Sequence, residues 1–192
     1  RSIKSNRNQQ YALLLSFVLM IGHFIIIPFI STYLVLNLSF SENRLDLVYL
    51  VGGLVTIFTS PIIGKLADKY GKHRLFMIFG FFSVVPIFLL TNLSTTIIYL
   101  ILSVTGLFFI TASGRMIPTQ ALITSVVSPD KRGGFMSINS FVQQLGAGIA
   151  SLIGGVVAYK SVGNLLINYD VLGYISITFI LLGVLVSTKI KH

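Results

Sequence analysis

The chain has 192 residues, of which 54% are hydrophobic and only 10% are charged. A soluble domain carries about 25% charged residues, so this composition excludes an ordinary soluble enzyme and a disordered tail. The net charge of +9 does not indicate a nucleic-acid partner, because the chain has no hydrophilic domain that could display a basic surface. Cysteine is absent, which excludes disulfides and thiolate chemistry.

The hydrophobic residues fall into six long stretches separated by short polar loops. A membrane-spanning helix needs about 20 apolar residues, and backbone groups in lipid must be hydrogen-bonded within their own segment. We therefore predict an all-α membrane protein with a cytoplasmic linker at 1–10, a six-helix transmembrane bundle at 11–188 and a cytoplasmic tail at 189–192. The predicted spans are Tyr11–Leu36, Leu47–Leu66, Leu75–Thr91, Thr96–Val126, Gly133–Tyr159 and Val171–Thr188.

The basic residues of the loops and ends lie mostly on one side of the predicted membrane. Eleven of them share that side, and the opposite side has only Arg44 and Lys160. Because cytoplasmic loops are enriched in lysine and arginine, this distribution predicts a multi-pass protein of the cell (inner) membrane with both termini in the cytoplasm. The eleven are Arg1, Lys4, Arg7, Lys65, Lys69, Lys72, Arg74, Lys131, Arg132, Lys189 and Lys191.

A shift of 90 residues superimposes the first half of the chain weakly on the second. Pro28 falls on Pro118, and the run 60–64 falls on 150–154, so the first two spans resemble spans four and five. Three helices reverse the direction in which the chain crosses the membrane, so the pattern indicates a 3+3 inverted repeat with units at about 11–91 and 96–188.

The first span contains an ionisable residue and a proline. His23 lies about 12 residues into the predicted helix, roughly 18 Å along its axis, and ionisable residues at that depth are candidates for function. It could bind substrate or relay a proton, or it could be a neutral side chain bonded to a neighbouring helix. Pro28 can kink the helix.

The loop after the second span reads Gly64-Lys65-Leu66-Ala67-Asp68-Lys69-Tyr70-Gly71-Lys72-His73-Arg74. It resembles the signature loop of the major facilitator superfamily, Gly-x-Leu-Ala-Asp-Arg-x-Gly-Arg-Arg/Lys. The resemblance implies a gating motif in which Asp68, the only carboxylate among several basic residues, latches the cytoplasmic side. A positively charged turn without a gating role is the alternative. The residues that we assign to this motif are Gly64, Leu66, Asp68, Lys69, Gly71, Lys72 and Arg74.

The resemblance continues through the rest of the chain. The segments 115–118, 132–137 and 143–146 are similar to helices four and five in the drug- and sugar-efflux branch of the family. Family members have two six-helix halves, so the chain resembles one half, and we favour the C-terminal half. The resemblance implies a proton-coupled antiporter of a small organic solute that works by alternating access with its other half in the lipid bilayer.

The fifth span is also similar to the antiporter motif of the family, Gly-x-x-x-Gly-Pro-x-x-Gly-Gly. Here Ala150 and Ser151 replace the Gly-Pro pair, which weakens any inference about the direction of transport. Small residues allow helices to approach closely in lipid. We therefore predict helix packing at Gly146, Ala150, Gly154 and Gly155.

Four further polar residues are candidates for contact with substrate or for coupling. Arg115 in the fourth span could pair with Asp68 in the gate, contact substrate, or extend to the interface as an anchor. Tyr49 lies on a face of the second span that is more typical of a bundle interface than of a ligand site. Gln143 and Gln144 must face protein or a water-filled cavity, where they bond either another helix or substrate.

The predicted spans contain no carboxylate at depth, so a proton-coupled carrier would need one in its other half, or His23 in its place. We find no arrangement of residues typical of an enzyme, a metal site or a cofactor site. The alternative to a transporter half is a complete six-helix membrane protein, either a partner subunit or a homodimerising one, without transport of its own.

Overall fold

The structure is a computed structural model that describes residues 6–190. It contains six helical segments that are long and apolar enough to cross a membrane, which confirms the predicted fold class. Parts of the predicted cytoplasmic segment and tail, residues 1–5 and 191–192, lie outside the described residues. The six spans are Arg7–Leu38, Glu42–Tyr70, Lys72–Thr91, Ile98–Ser125, Pro129–Val157 and Tyr169–Ser187.

Two of the six spans are interrupted. The first consists of α1 (Arg7–Phe24), a 3-10 turn (Ile27–Phe29) and α2 (Ile30–Leu38). Pro28 lies in that turn, and its missing backbone N–H removes a helical hydrogen bond, so the break falls where the sequence predicts a kink. The third span consists of α4 (Lys72–Phe82) and α5 (Val84–Thr91), an interruption that the sequence analysis does not predict.

The other four spans are continuous helices. Two of them contain an internal proline, Pro61 in the second span and Pro118 in the fourth. Short 3-10 turns, Glu42–Arg44 and Pro129–Lys131, precede the second and the fifth span. The helices are α3 (Leu45–Tyr70), α6 (Ile98–Ser125), α7 (Arg132–Val157) and α8 (Tyr169–Ser187).

A small β-hairpin joins α7 to α8. Its strands are β1 (Tyr159–Lys160) and β2 (Leu166–Ile167), which are antiparallel, with Lys160 opposite Leu166. The side chain of Asn37 in α2 donates to the carbonyl of Leu166 and accepts from its N–H, both at 2.9 Å. The hairpin is therefore fixed to the end of the first span.

The helices pack in a pattern that matches an inverted repeat. In the first span, α1 contacts α7 and α8, while α6 of the fourth span contacts α3, α4 and α5. The third and sixth spans contact each other through α5 and α8. Exchanging spans one, two and three with four, five and six leaves these contacts unchanged, as a two-fold relation between the two units requires.

The second and fifth spans are the least covered parts of the bundle. Only 17% of the residues in the most apolar stretch of each are buried, against 39% to 50% in the other four spans. Large apolar side chains are exposed on both helices, among them Phe58 on α3 and Phe141 and Leu152 on α7. One broad face of each helix therefore has no partner within the described residues.

Candidate functional site

The predicted gating loop is a reversal of the chain at a single residue. Helix α3 ends at Tyr70 and α4 begins at Lys72, so Gly71 alone separates them. Its φ of 95° lies in a region that glycine adopts without steric cost and other residues avoid. The N–H of Gly71 donates to the carbonyl of Ala67 at 3.0 Å, and its own carbonyl accepts from Leu75 at 3.1 Å.

A cavity of about 750 Å³ lies beside this reversal. It is bounded by the loop, by the start of α1 and by the end of α6, and its lining combines polar and apolar residues. Asp68 is exposed and forms no salt bridge with any residue in the range 6–190. The lining residues are Asn8, Ala67, Asp68, Gly71, Lys72, His73, Arg74, Leu122, Ser125 and Val126.

Other residues of the loop motif have individual surroundings. Leu66 packs against the buried cluster of Ile63, Ala67 and Leu75. The ammonium group of Lys69 lies 5.2 Å from the ring centre of Tyr70, and Arg74 is exposed. Gly64 lies in α3 with open space beside it, because a Cβ atom there would meet nothing within 4 Å among the described residues.

A second group of predicted residues meets inside the bundle, around His23 of α1. The imidazole is parallel to the ring of Phe108 in α6, with 6.1 Å between ring centres, and its Nδ1 atom is buried without a hydrogen bond. His23 also lies within electrostatic range of Arg115. Arg115 follows Phe108 in α6 by seven residues, about two helical turns. The structure therefore brings two of the sequence candidates together.

The side chain of Arg115 is directed towards the start of α6, away from the end of the helix at Ser125. Its Nε donates to the carbonyl of Thr111 at 3.3 Å, one turn towards the start of the helix, and the residue is only 2% exposed. An anchor at the membrane interface would reach water, which this side chain does not. Arg115 and Asp68 are not brought into contact.

A hydrogen bond between α1 and α7 extends the interior polar group. The hydroxyl of Ser16 donates to Oδ1 of Asn139 at 2.5 Å, and both residues are fully buried. Ser16 precedes His23 by seven residues, so the two lie on the same face of α1. We define His23, Arg115, Ser16 and Asn139 as the interior polar cluster. Three of its atoms have no hydrogen-bond partner: His23 Nδ1, Arg115 Nη2 and Asn139 Nδ2.

Sequence reasoning did not select Ser16 or Asn139 as site residues. A single hydroxyl or amide in a span is a weak signal, because serine commonly bonds its own helix backbone. The signal that could have found Ser16 is its seven-residue spacing from His23. The buried hydroxyl of Tyr169 at the start of α8, which also has no partner, was likewise not selected.

The remaining substrate candidates lie outside the interior polar cluster. Pro28 is exposed at the break of the first span, and Tyr49 is 45% exposed on α3. On α7, Gln143 is half-buried and Gln144 is exposed, whereas Asn139 of the same helix is buried. These candidates therefore lie on surfaces that the described residues leave open.

The small residues of the fifth span divide between two faces of α7. Gly146, Ala150 and Gly154 are buried, and a Cβ atom at Gly146 would meet the carbonyl of Phe17 in α1 at 3.0 Å. Gly155 is exposed, and a Cβ atom there would meet nothing within 4 Å. Three of the four predicted packing residues thus lie on the face towards α1, and the fourth lies on the open face.

Six apolar spans whose contacts are preserved when the two units are exchanged, with Arg115 buried in the fourth span, are typical of a polytopic membrane protein built from an inverted repeat. The model of the Major Facilitator Superfamily matches residues 12–190, and the chain belongs to that family. Among residues 6–190, no group of three or more histidine, aspartate or glutamate residues could hold a metal ion.

Curated relatives of the chain are efflux pumps. It is 30% identical over 151 residues to the multi-drug resistance efflux pump PmrA of Streptococcus pneumoniae, covering 76% of this chain and 36% of that protein. It is 27% identical over 173 residues to the multi-drug resistance efflux pump PmrA homolog of Lactococcus lactis, covering 82% of this chain and 40% of that protein. The chain therefore spans well under half the length of these relatives.

Proposed function

We propose that the chain is one six-helix half of a secondary transporter that moves a small organic solute across the cell membrane by alternating access. Membership of the family over nearly the whole chain carries the proposal. The similarity to multi-drug efflux pumps favours export of a drug-like compound. The coverage of 36% to 40% of those pumps supports the interpretation as one half.

The open faces of α3 and α7 are the surfaces that a second half would cover. They carry exposed apolar residues together with exposed small ones, such as Gly53 on α3 and Gly148 on α7. Small residues permit close helix contact in lipid. A second copy of the chain could use the same faces in the alternative, non-transporting homodimer.

An apolar groove between α3 and α6 suits the hydrocarbon part of an organic solute. It has a volume of about 450 Å³, within the usual range of small-molecule sites. Its walls come from the second and fourth spans, next to the open face of α3. The lining residues are Val51, Val55, Tyr99, Leu102, Ser103, Gly106, Leu107 and Ile110.

Coupling to protons would depend on His23 within this half. The five carboxylates of the chain all lie at the ends of spans: Glu42, Asp46 and Asp170 on one side, and Asp68 and Asp130 on the other. Histidine is the side chain whose charge changes most readily near physiological pH. A half-buried imidazole whose Nδ1 atom is buried without a hydrogen bond would therefore take the part of a coupling group.

The orientation that we propose places the Gly71 reversal and both termini in the cytoplasm, following the distribution of basic residues. In that orientation Asp68 and its basic neighbours border a cavity that opens to the cytoplasm. Movement of the second half against this loop would close or open the cavity, and the loop would then act as a gate.

The test is a transport assay on the protein expressed from its complete reading frame in membrane vesicles, with and without an imposed proton gradient. We expect gradient-dependent movement of at least one drug-like compound, lost in His23→Ala and reduced at least fivefold in Asp68→Asn. Asp130→Asn is the matched control, since Asp130 is an exposed carboxylate in the other loop of the same side. Normal transport by both His23→Ala and Asp68→Asn would contradict the site assignments.

A further inference from the structure

Among the residues that the structure describes, Arg115 is the one charged residue whose side chain is buried. Only 2% of its surface is exposed. It follows the start of α6 at Ile98 by 17 residues and precedes the end at Ser125 by 10 residues, which places it about 26 Å and about 15 Å from the two ends at 1.5 Å per residue. A charge so far from both ends of a span requires a partner.

That partner is missing within residues 6–190. The Nε–H group of Arg115 reaches a backbone carbonyl at 3.3 Å, while Nη2 has no hydrogen bond. Among the described residues no carboxylate lies within salt-bridge distance, and the five acidic residues are all at the ends of spans. A buried guanidinium with free N–H donors is an incomplete ion pair.

The surroundings of the guanidinium are complementary to an anion. His23 lies within electrostatic range and has an unpartnered ring nitrogen, and the ring of Phe108 lies parallel to the His23 ring, with 6.1 Å between ring centres. Arginine presents its N–H groups in a planar fork that matches the two oxygens of a carboxylate. A cation at this position would meet positive charge and no compensating acid from this half.

We propose that Arg115 binds the anionic group of the transported solute, and that this half selects organic acids over organic cations. The inference rests on the proposed transport function and names the substrate class for the same interior site. The solute carboxylate would take the free Nη2 donors, and the single N–H of the neutral His23 ring would supply a further one. An acidic residue of the other half is the competing partner for Arg115, and the experiment separates the two.

The experiment uses three fluorescent probes that share one aromatic group and differ in charge: dansylglycine, dansylglycinamide and N-dansylethylenediamine. Their transport is measured in vesicles with the complete protein, in the wild type and in Arg115→Gln and Arg115→Lys.

We expect the wild type to move the acid at least tenfold faster than the amine. Arg115→Gln should lose at least tenfold for the acid and stay within twofold for the neutral amide, and Arg115→Lys should retain part of the acid transport. Arg132→Gln, which removes an exposed arginine, should match the wild type.

Three outcomes would overturn the inference. The first is faster transport of the amine than of the acid by the wild type. The second is an equal loss of all three probes in well-folded Arg115→Gln, as expected if an acid of the other half is the partner. If Arg115→Gln does not fold, the thermal unfolding of the wild type with each probe tests the inference instead. Only dansylglycine should raise the Tm of the wild type. An equal rise in Tm with the neutral amide is the third outcome. Transport of the amide and amine without the acid is a case of the first outcome and contradicts only the anion site. The proposed function itself is contradicted separately, if the assay described for it finds no drug-like compound that is moved.

Discussion

Ser16 and Asn139 show how single residues connect spans in this protein. Their bond, at 2.5 Å between fully buried groups, joins α1 to α7 in a region where water cannot replace either partner. Measured hydrogen bonds between membrane helices are worth about 0.6 kcal/mol on average and about 1.7 kcal/mol at most. Asn139 also retains an unpartnered Nδ2, so its amide has a donor available for solute or water.

We expect the double-mutant cycle of Ser16→Ala and Asn139→Ala to give a coupling energy of about 0.6–1.7 kcal/mol. Each single change removes one side of the same bond, so the double variant should be less destabilised than the sum of the two. Unfolding of the purified protein in detergent measures the effect. Ser103→Ala is the control, because Ser103 is exposed and bonds the carbonyl of Tyr99 in its own helix. Strict additivity would contradict the coupling.

Gly71 and Gly64 form a matched pair for a second prediction at this scale. Gly71→Ala should destabilise the protein by about 1–2 kcal/mol, because its φ of 95° is unfavourable for a residue with a Cβ atom. Gly64→Ala should be neutral or stabilising by up to about 1 kcal/mol, because it lies within α3 with open space around it. Thermal unfolding of the two variants checks the difference in sign, and equal destabilisation would be inconsistent with the described reversal.

At the scale of elements, α7 presents glycine on two faces with different surroundings. A Cβ atom at Gly146 would lie 3.0 Å from the carbonyl of Phe17, whereas one at Gly148 would meet nothing within 4 Å. The first face determines how closely α1 and α7 approach, and the second belongs to the surface that we assign to the other half. The sequence motif alone does not separate the two faces.

Gly146→Ala should therefore lower the free energy of unfolding by about 1–3 kcal/mol, since overpacking against a backbone carbonyl displaces a helix. Gly148→Ala should leave it unchanged or raise it slightly, because alanine has the higher helix propensity. Chemical or thermal unfolding in detergent is the measurement. A larger loss at Gly148 than at Gly146 would mean that the two faces of α7 are assigned in reverse.

The elements that sequence reasoning found are those with strong local signals. The number of spans follows from hydropathy, and the break in the first span follows from Pro28. The break at Ser83, between α4 and α5, lies three residues before Pro86, whose missing N–H cannot bond the carbonyl of Phe82. The sequence analysis did not use that signal, and the hairpin of β1 and β2 had none. The contact of Asn37 with Leu166 joins residues 129 positions apart, which no local pattern reveals. His23 and Arg115 were found because ionisable residues in lipid are rare, but their proximity required the packing of α1 on α6.

At the scale of the whole molecule, the bundle has one loop side rich in basic residues and one side with the hairpin. The chain has no cysteine, so a single introduced thiol reports the side on which it lies. Lys69 is exposed beside the Gly71 reversal, and Val162 is fully exposed in the hairpin loop. These two positions lie at opposite ends of the spans.

We expect a membrane-impermeant maleimide to label Val162→Cys from outside intact cells and Lys69→Cys only in inside-out vesicles. The positive-inside rule gives the physical reason. Asn164→Cys should behave as Val162→Cys does and Asp130→Cys as Lys69→Cys does, which controls for local reactivity. Labelling of Lys69→Cys in intact cells would reverse the proposed orientation and remove the cytoplasmic gate.

The bond between Asn37 and the hairpin has a consequence for self-association. A short strand with free backbone groups is a template to which another extended segment can add. The amide of Asn37 occupies both the N–H and the carbonyl of Leu166 on the side away from β1. The outer edge of β2 therefore has no backbone group free for a further strand at Leu166. An Asn37→Leu change would free the N–H and the carbonyl of Leu166, and an extended segment of a neighbouring molecule could then pair with them.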